Sequence, residues 1–270
     1  MNRITALVGW AIVALVITTP AYAVPMFFTT PDFPLPGSTG DGLVGAIYTG
    51  IDVDNLADAR AHINTYSADS AFLARQVDYP QGSQDTVVVP GPPTTFNDLL
   101  GSDAASLSNP AVGNQGILNS IIQFTGYFSV ERDNSAFPFS LGSDDGSALL
   151  IQGIEVIVND GIHPFPGGGA GPQDVAFQNA GLYEMEILFF ESQAVAYGIE
   201  FVLGDFAGNN QVVPQFLLHS TPVPLPGIIS LMGIGLAALG LTMSRRRKEQ
   251  GVCGRARSII PAGENPAPAR

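Results

Sequence analysis

Cysteine and tryptophan each occur only once in this chain of 270 residues. The cysteine, Cys253, lies near the C-terminus, so an intrachain disulfide is excluded. The tryptophan, Trp10, lies in an apolar N-terminal segment. A domain without disulfides relies for stability on its core, its sheets and, where one binds, a metal ion.

Positive charge is scarce between residues 24 and 226. This segment has no lysine and three arginines, against sixteen aspartates and six glutamates, which gives a net charge of −19. Such a surface repels nucleic acid and anionic lipid and attracts cations. We therefore expect no nucleic-acid partner.

Motifs of catalysis and phosphate binding are also missing. The histidines His62, His163 and His219 do not have the spacing of a zinc-protease motif, and His163 is interpreted as a loop residue. The run Gly167–Gly169 lacks the Lys-Ser or Lys-Thr that completes a phosphate-binding loop, and no G-x-S-x-G sequence occurs. We therefore expect that the protein is not an enzyme.

The N-terminal segment has the composition of a secretory signal peptide. Residues 1–23 combine Arg3, an apolar core and the small-x-small sequence Ala21-Tyr22-Ala23, which predicts cleavage after Ala23. Residues 24–40 are rich in proline and are interpreted as a lead-in to the folded domain.

The C-terminal part has the composition of a membrane anchor. Residues 227–244 are apolar and, at about 1.5 Å per residue in a helix, are long enough to span a thin bilayer. The basic tail 245–270 begins with an arginine cluster, which predicts that it stays in the cytoplasm. The uncharged residues 207–226 are interpreted as a tether between the domain and the inner membrane.

Residues 41–206 have the pattern of an all-β domain. Short apolar or alternating runs such as Leu43–Tyr48 and Phe137–Leu141 are separated by glycine-containing turns, and Gly153 fits the tight turn of a hairpin. Asp54 or Asn55 is a suitable N-cap for a short helix. The pattern predicts an antiparallel sandwich or barrel with short helical turns.

The sequence Ser-Asp-Asp-Gly-Ser at 143–147 places two carboxylates side by side, although like charges repel. Three interpretations arise: a solvated turn, a calcium-binding loop or a catalytic pair. Neighbouring carboxylates on one loop cannot flank a scissile bond at the ~5–9.5 Å that a glycosidase requires, which disfavours the third.

The order of motifs between about 120 and 204 resembles the PA-fourteen (PA14) domain family. This is a β-sandwich module of anthrax protective antigen, yeast adhesins and bacterial glycosidases. The motifs that carry the resemblance are Gly126-Tyr127, Phe137–Phe139, Ser143–Ser147, Leu150–Gly153, Ala180–Tyr183 and Phe190-Glu191. The resemblance implies an antiparallel β-sandwich for 41–206.

In adhesins of this family a cis peptide joins the paired aspartates, which bind a calcium ion that in turn binds sugar hydroxyls. The resemblance therefore implies Asp144 and Asp145 as calcium ligands, and calcium prefers several hard oxygen ligands of this kind. A second loop supplies further ligands, and here Glu191 or Gln193 takes that place, where the family has an asparagine. The alternative is that the two aspartates only fix the turn through backbone N–H groups.

A sugar ligand also needs apolar surface, and the candidates for stacking on it are Tyr127, Phe165 and Tyr197. The C-terminal part resembles the PEP-CTERM sorting signal, which an exosortase-type enzyme processes. The residues that carry this resemblance are Val223, Pro224 and Pro226, followed by Arg245, Arg246 and Arg247. Leu225 stands where that family usually has glutamate, and the chain continues past the arginines.

Together these features predict an exported protein, anchored to the membrane or released to the cell surface or extracellular matrix. The predicted function is binding of carbohydrate or matrix, for which calcium is the candidate cofactor. The alternative is a structural protein of the cell envelope or exopolysaccharide matrix that has no small-molecule ligand.

Overall fold

Thirteen β-strands and two α-helices make up most of the regular structure of the described residues. The computed structural model describes residues 25–82, 95–193 and 196–221. The predicted signal peptide, sorting motif, membrane helix and basic tail all lie outside these ranges. No helix within the ranges has the length and hydropathy that crossing a bilayer requires.

The strands and helices are numbered along the chain. The strands are β1 (Met26–Phe28), β2 (Leu43–Thr49), β3 (Ser70–Ala74), β4 (Asp78–Tyr79), β5 (Ser120–Val130), β6 (Ser135–Asp144), β7 (Ser147–Ile151), β8 (Ile154–Asn159), β9 (Gln173–Phe177), β10 (Gly181–Glu191), β11 (Gly198–Asp205), β12 (Asn209–Val212) and β13 (Leu218–His219). The helices are α1 (Leu56–Ile63) and α2 (Phe96–Leu100). Apart from Pro36–Ser38, the described residues belong to one compact unit.

These strands form two sheets. Sheet 1 has the order β1-β9-β6-β11-β12, with β4 also beside β11, and sheet 2 has the order β3-β2-β5-β10-β7-β8, with β13 also beside β5. The strand pairs are antiparallel except that β1 runs parallel to β9. The prediction of a mostly-β protein with two antiparallel sheets and few short helices is confirmed, with this one parallel pair as an exception.

Aromatic side chains fill the space between the sheets. On β5, Phe124 and Phe128 are fully buried, whereas Thr125 between them is exposed, as expected for a strand with one face on the core. The ring of Phe128 meets that of Phe139 from sheet 1 edge to face, with centroids 5.1 Å apart. Burying each such side chain stabilises the fold by roughly 1.5–3 kcal/mol.

The helix α1 covers the outer face of sheet 2. Asn55 caps it by accepting a hydrogen bond from the N–H of Asp58 at 2.9 Å, which confirms the predicted helix start. Leu56 and Ala59 are buried in the same apolar cluster as Ile121 of β5. Sheet 2 is therefore covered on both faces at this place.

The hairpin between β7 and β8 has the tight turn that the sequence predicts. Gly153 has φ of 72°, and Gln152 before it has φ of 50°. Two successive residues with positive φ are typical of a two-residue turn whose twist matches the strands.

Both sheets include residues from outside the predicted domain of 41–206. The strand β1 comes from the predicted lead-in, and β12 and β13 come from the predicted tether. These strands have only two to four residues each, which is too short for an alternating pattern to show. Their hydrogen bonds depend on neighbouring strands that are distant in sequence.

Candidate functional site

Asp144 and Asp145 lie where the chain crosses from sheet 1 to sheet 2. Asp144 is the last residue of β6 and Ser147 is the first residue of β7. The peptide bond between the two aspartates is cis. Gly146 follows because a Cβ at this position would collide with the ring of Phe190.

Glu191 reaches the same place from the end of β10. The N–H of Phe190 donates to the carbonyl oxygen of Gly146 at 2.9 Å, so the next residue, Glu191, lies beside the aspartates. One carboxylate oxygen from each of Asp144, Asp145 and Glu191 lies within 4.8 Å of the other two. The three side chains are 9%, 1% and 1% exposed. We call these residues the acidic cluster, and this end of the sandwich the acidic end.

Backbone N–H groups from two loops hold Asp145 in place. Its Oδ1 accepts a hydrogen bond from the N–H of His163 at 3.3 Å. Its Oδ2 accepts from Ser192 at 2.9 Å and from Gln193 at 3.1 Å. Asp145 therefore fixes the local turns through backbone N–H groups, which was the alternative to calcium binding. This role accounts for Asp145 but not for Asp144 or Glu191.

Burial and mutual repulsion raise the pKa values of the other two carboxyl groups. The pKa of Glu191 rises to about 10, first because the group is buried and then because Asp145 and Asp144 carry like charge. The pKa of Asp144 rises to about 6 through burial and the charge of Asp145, although the N–H of Phe165 and the charge of His163 oppose the shift. Ionising all three groups together is therefore costly unless a cation is present.

The acidic cluster fits a calcium ion. Ligand oxygens lie about 2.3–2.6 Å from calcium, so oxygens that share one ion are at most ~5 Å apart, and the carboxylates meet this limit. The Oε2 atom of Glu191 is buried without a hydrogen-bond partner in the described part of the chain, while Oε1 accepts from Gln193 at 3.0 Å. Gln193 itself is exposed and reaches the cluster through its backbone N–H.

Asn159 fixes the loop that covers the cluster. It is buried at the end of β8, and its Nδ2 donates to the carbonyl oxygen of Pro166 at 2.8 Å and to Oγ of Ser143 at 3.3 Å. Its Oδ1 accepts from the N–H of Gly169 at 3.0 Å. These bonds fix the loop that carries His163, whose backbone role at the site the sequence does not reveal.

A pair of aromatic rings lies next to Asp144. Phe165 and Phe206 are both half-buried and meet edge to face, with centroids 5.3 Å apart. Both rings lie over Gly142, where a Cβ would collide with them. The predicted stacking residue Phe165 is thus at the site, whereas Phe206 was missed because its turn between β11 and β12 is remote in sequence and carries no motif.

The other two predicted stacking residues are corrected by their positions. Tyr127 packs edge to face with Phe33 near the far end of β5, whereas the other end of β5, at Ser120, pairs with Glu191. Tyr197 is only 6% exposed and belongs to the core between the sheets. Burial, followed by the charges of Asp98 and Glu191, raises the pKa of Tyr197 to about 12. Tyr127 is therefore remote from the acidic cluster, whereas Tyr197 lies beside it, next to Gly198 that pairs with Asp144, but is too buried to stack on a ligand. Neither strand length nor burial is evident locally in the sequence.

The fold of this chain is similar to that of domains with solved structures. No protein-family model matches the chain, and no curated protein matches it. The crystal structure of the PA14 domain of the antifreeze protein MpAFP is 25% identical and has a TM-score of 0.54, covering 72% of this chain and 100% of that domain. The PA14 sugar-binding domain from an RTX adhesin is 20% identical and has a TM-score of 0.53, covering 68% of this chain and 99% of that one. The structural neighbours are therefore PA14 domains, and the two sheets of this chain have a PA14-like fold.

Proposed function

We propose that this protein is an exported carbohydrate-binding module whose acidic end holds a calcium ion that contacts the sugar. The proposal is supported by the PA14-like fold and by the similarity to a domain described as sugar-binding. It is supported more directly by the chemistry of the acidic cluster, because that argument uses only residues of this chain.

The observation that carries the proposal is the buried Oε2 atom of Glu191, which has no hydrogen-bond partner among the described residues and lies beside two aspartates. A buried carboxylate oxygen without a partner costs free energy, and two like charges nearby increase that cost. A divalent cation at the centre of the cluster would remove both penalties. The proposal thus accounts for a feature that a turn-fixing role leaves unexplained.

The donor set favours calcium among the common metals. All three side chains offer carboxylate oxygens, and among the described residues neither a histidine nor a cysteine joins the group. Zinc prefers nitrogen and sulfur ligands, and magnesium demands strict octahedral geometry at short distances, whereas calcium accepts six to eight oxygens in flexible arrangements. Three carboxylates leave room for further ligands, and sugar hydroxyls are suitable for these positions.

The surroundings of Asp144 provide the second half of a sugar site. Asp144 is the most exposed member of the cluster, and the ring pair of Phe165 and Phe206 lies beside it. A pyranose has hydroxyl edges that a metal binds and C–H faces that pack on aromatic rings. The ring pair is therefore proposed as the apolar wall of the site.

Binding without catalysis, export and anchoring are part of the same proposal. Oxygens of the three carboxylates lie within 4.8 Å of one another, closer than the ~5–9.5 Å between the carboxyl pair of a glycosidase, which supports binding without catalysis. The signal-like residues 1–23, the apolar residues 227–244 and the sorting motif support export followed by attachment or release at the cell surface.

The test is a calcium titration of the purified protein after treatment with a chelator, followed by a glycan array with calcium or with EDTA. We expect heat of binding, a higher melting temperature with calcium, and glycan binding that EDTA abolishes. The double variant D144N/D145N should lose all three, while the control D174N, at an exposed aspartate on β9, should keep them. Wild-type protein without a calcium response would favour the structural role that the bonds of Asp145 also support.

A further inference from the structure

A second cleft opens at the end of the sandwich opposite the acidic end. It has a volume of about 260 Å³ and includes Ser135, the first residue of β6, on its lining. The strand β6 ends at Asp144, so at about 3.3 Å per residue the two sites lie roughly 30 Å apart. The cleft is therefore separate from the calcium site proposed above.

Two phenylalanines form the apolar part of the cleft. Phe137 contacts the core, with its ring centroid 5.0 Å from that of Phe128, so its position is fixed by packing. Phe216 is 51% exposed, yet its backbone is held because its carbonyl oxygen accepts a hydrogen bond from the N–H of Gly40 at 3.1 Å. An exposed phenylalanine on a fixed backbone is a suitable surface for a ligand to pack against.

Two charged side chains form the polar part. Arg132 and Glu131 are exposed and line the cleft. Within the described ranges, Arg132 is the one arginine without an ion pair, since Arg60 pairs with Glu155 and Arg75 pairs with Asp103. The turn below it is fixed, because Oγ of Ser135 donates to the carbonyl oxygen of Arg132 at 2.7 Å. The cleft therefore offers a hydrogen-bond donor, Arg132, and an acceptor, Glu131, on a turn whose backbone is held by a hydrogen bond.

From this geometry we infer that the cleft is a second carbohydrate site, which takes a single neutral pyranose without a metal. The two rings pack on the C–H face of the sugar, the guanidinium of Arg132 donates to its oxygens, and the carboxylate of Glu131 accepts from its hydroxyls. The volume is below the roughly 300–1,000 Å³ of pockets for larger ligands, which favours one ring. The strongly acidic surface disfavours anionic sugars.

The experiment is saturation-transfer NMR on the full protein in EDTA, which keeps calcium from the acidic end. The probes are the methyl β-glycosides of glucose, galactose, mannose and N-acetylglucosamine, with methyl glucuronide as the anionic probe. We expect saturation transfer to at least one neutral glycoside and weaker transfer to the glucuronide. The variants R132A and F216A should each weaken binding about tenfold while leaving the melting temperature unchanged, because both side chains are exposed.

The matched control is D174N, at the exposed aspartate on β9, which should keep the EDTA-resistant signal. The inference is overturned if no neutral glycoside receives saturation transfer in EDTA, or if both cleft variants bind as the wild type does. Stronger transfer to the glucuronide overturns the neutral class of ligand. The cleft and the calcium site are tested independently. Binding at the cleft is measured in EDTA, whereas binding at the calcium site is measured only when calcium is present.

Discussion

Asp145 and Glu191 accept hydrogen bonds from the same backbone N–H, that of Gln193, at 3.1 and 3.0 Å. A shared donor keeps the two carboxyl groups close, although like charges would separate them in a flexible loop if both were ionised. The local backbone therefore maintains an arrangement that is electrostatically unfavourable without a cation.

Replacing Glu191 by glutamine should separate calcium binding from folding. At neutral pH the raised pKa, about 10, keeps the calcium-free Glu191 protonated, so an amide of the same shape should change stability by only about 1 kcal/mol. The calcium-induced gain, about 2.7 kcal/mol at a hundredfold excess over Kd in the wild type, should largely disappear. Denaturant titrations with and without calcium measure both quantities. A variant that keeps the full gain would contradict the role of Glu191 as a ligand.

Stability of the calcium-free protein should decrease as the pH rises. The pKa of Asp144 increases to about 6 and that of Glu191 to about 10 on folding, so the folded state binds more protons than the unfolded chain. The stabilising contribution of each group is complete below its unfolded pKa, about 4, and is lost as the pH rises through its folded value. Urea midpoints in EDTA at about pH 5, 7 and 9 test this, with the double variant D144N/E191Q as the reference that should show a flatter profile.

Replacing Gly146 by alanine should destabilise the crossing between the sheets. The added Cβ would collide with the buried ring of Phe190, and overpacking of this kind typically costs about 1–3 kcal/mol. Gly168 is the matched control, because a Cβ there meets no atom within 4 Å. Equal urea midpoints for G146A and G168A would show that the crossing can relax around the new methyl group.

Truncating Phe206 to alanine should weaken sugar binding and leave calcium binding intact. The ring packs against Phe165 but is not a metal ligand, so only the proposed apolar wall is lost. An aromatic contact of this kind is worth roughly 0.5–1.5 kcal/mol, which corresponds to a loss in sugar affinity of about two- to tenfold. Calorimetry with calcium alone, and then with a sugar selected on the array, separates the two effects. A loss of calcium affinity would show that the ring pair supports the ion site.

The parts that the sequence predicts well are local in the chain. The hairpin turn at Gly153 occurs as predicted, and the cis peptide that the resemblance implies joins Asp144 and Asp145; each depends on a few consecutive residues. Their conformations are selected by glycine and by neighbouring side chains, which the sequence displays directly. The start of helix α1 at Asn55 is also determined by residues close together in the sequence.

The parts that the sequence does not reveal depend on long-range packing. Phe206 comes to lie beside Phe165 only because β11 pairs with β6 and the loop after β8 folds over the same strand. Tyr127 matches the motif but lies on the wrong part of a long strand. The cleft combines the turn after β5 with the residues before β13, which no local pattern connects.

The strand β13 gives the sandwich a defined direction. It pairs with β5 at Phe128 and Tyr127, far along that strand from the end that meets Glu191. The last described residues therefore lie in the half of the domain that bears the cleft, and the acidic cluster lies at the end remote from them.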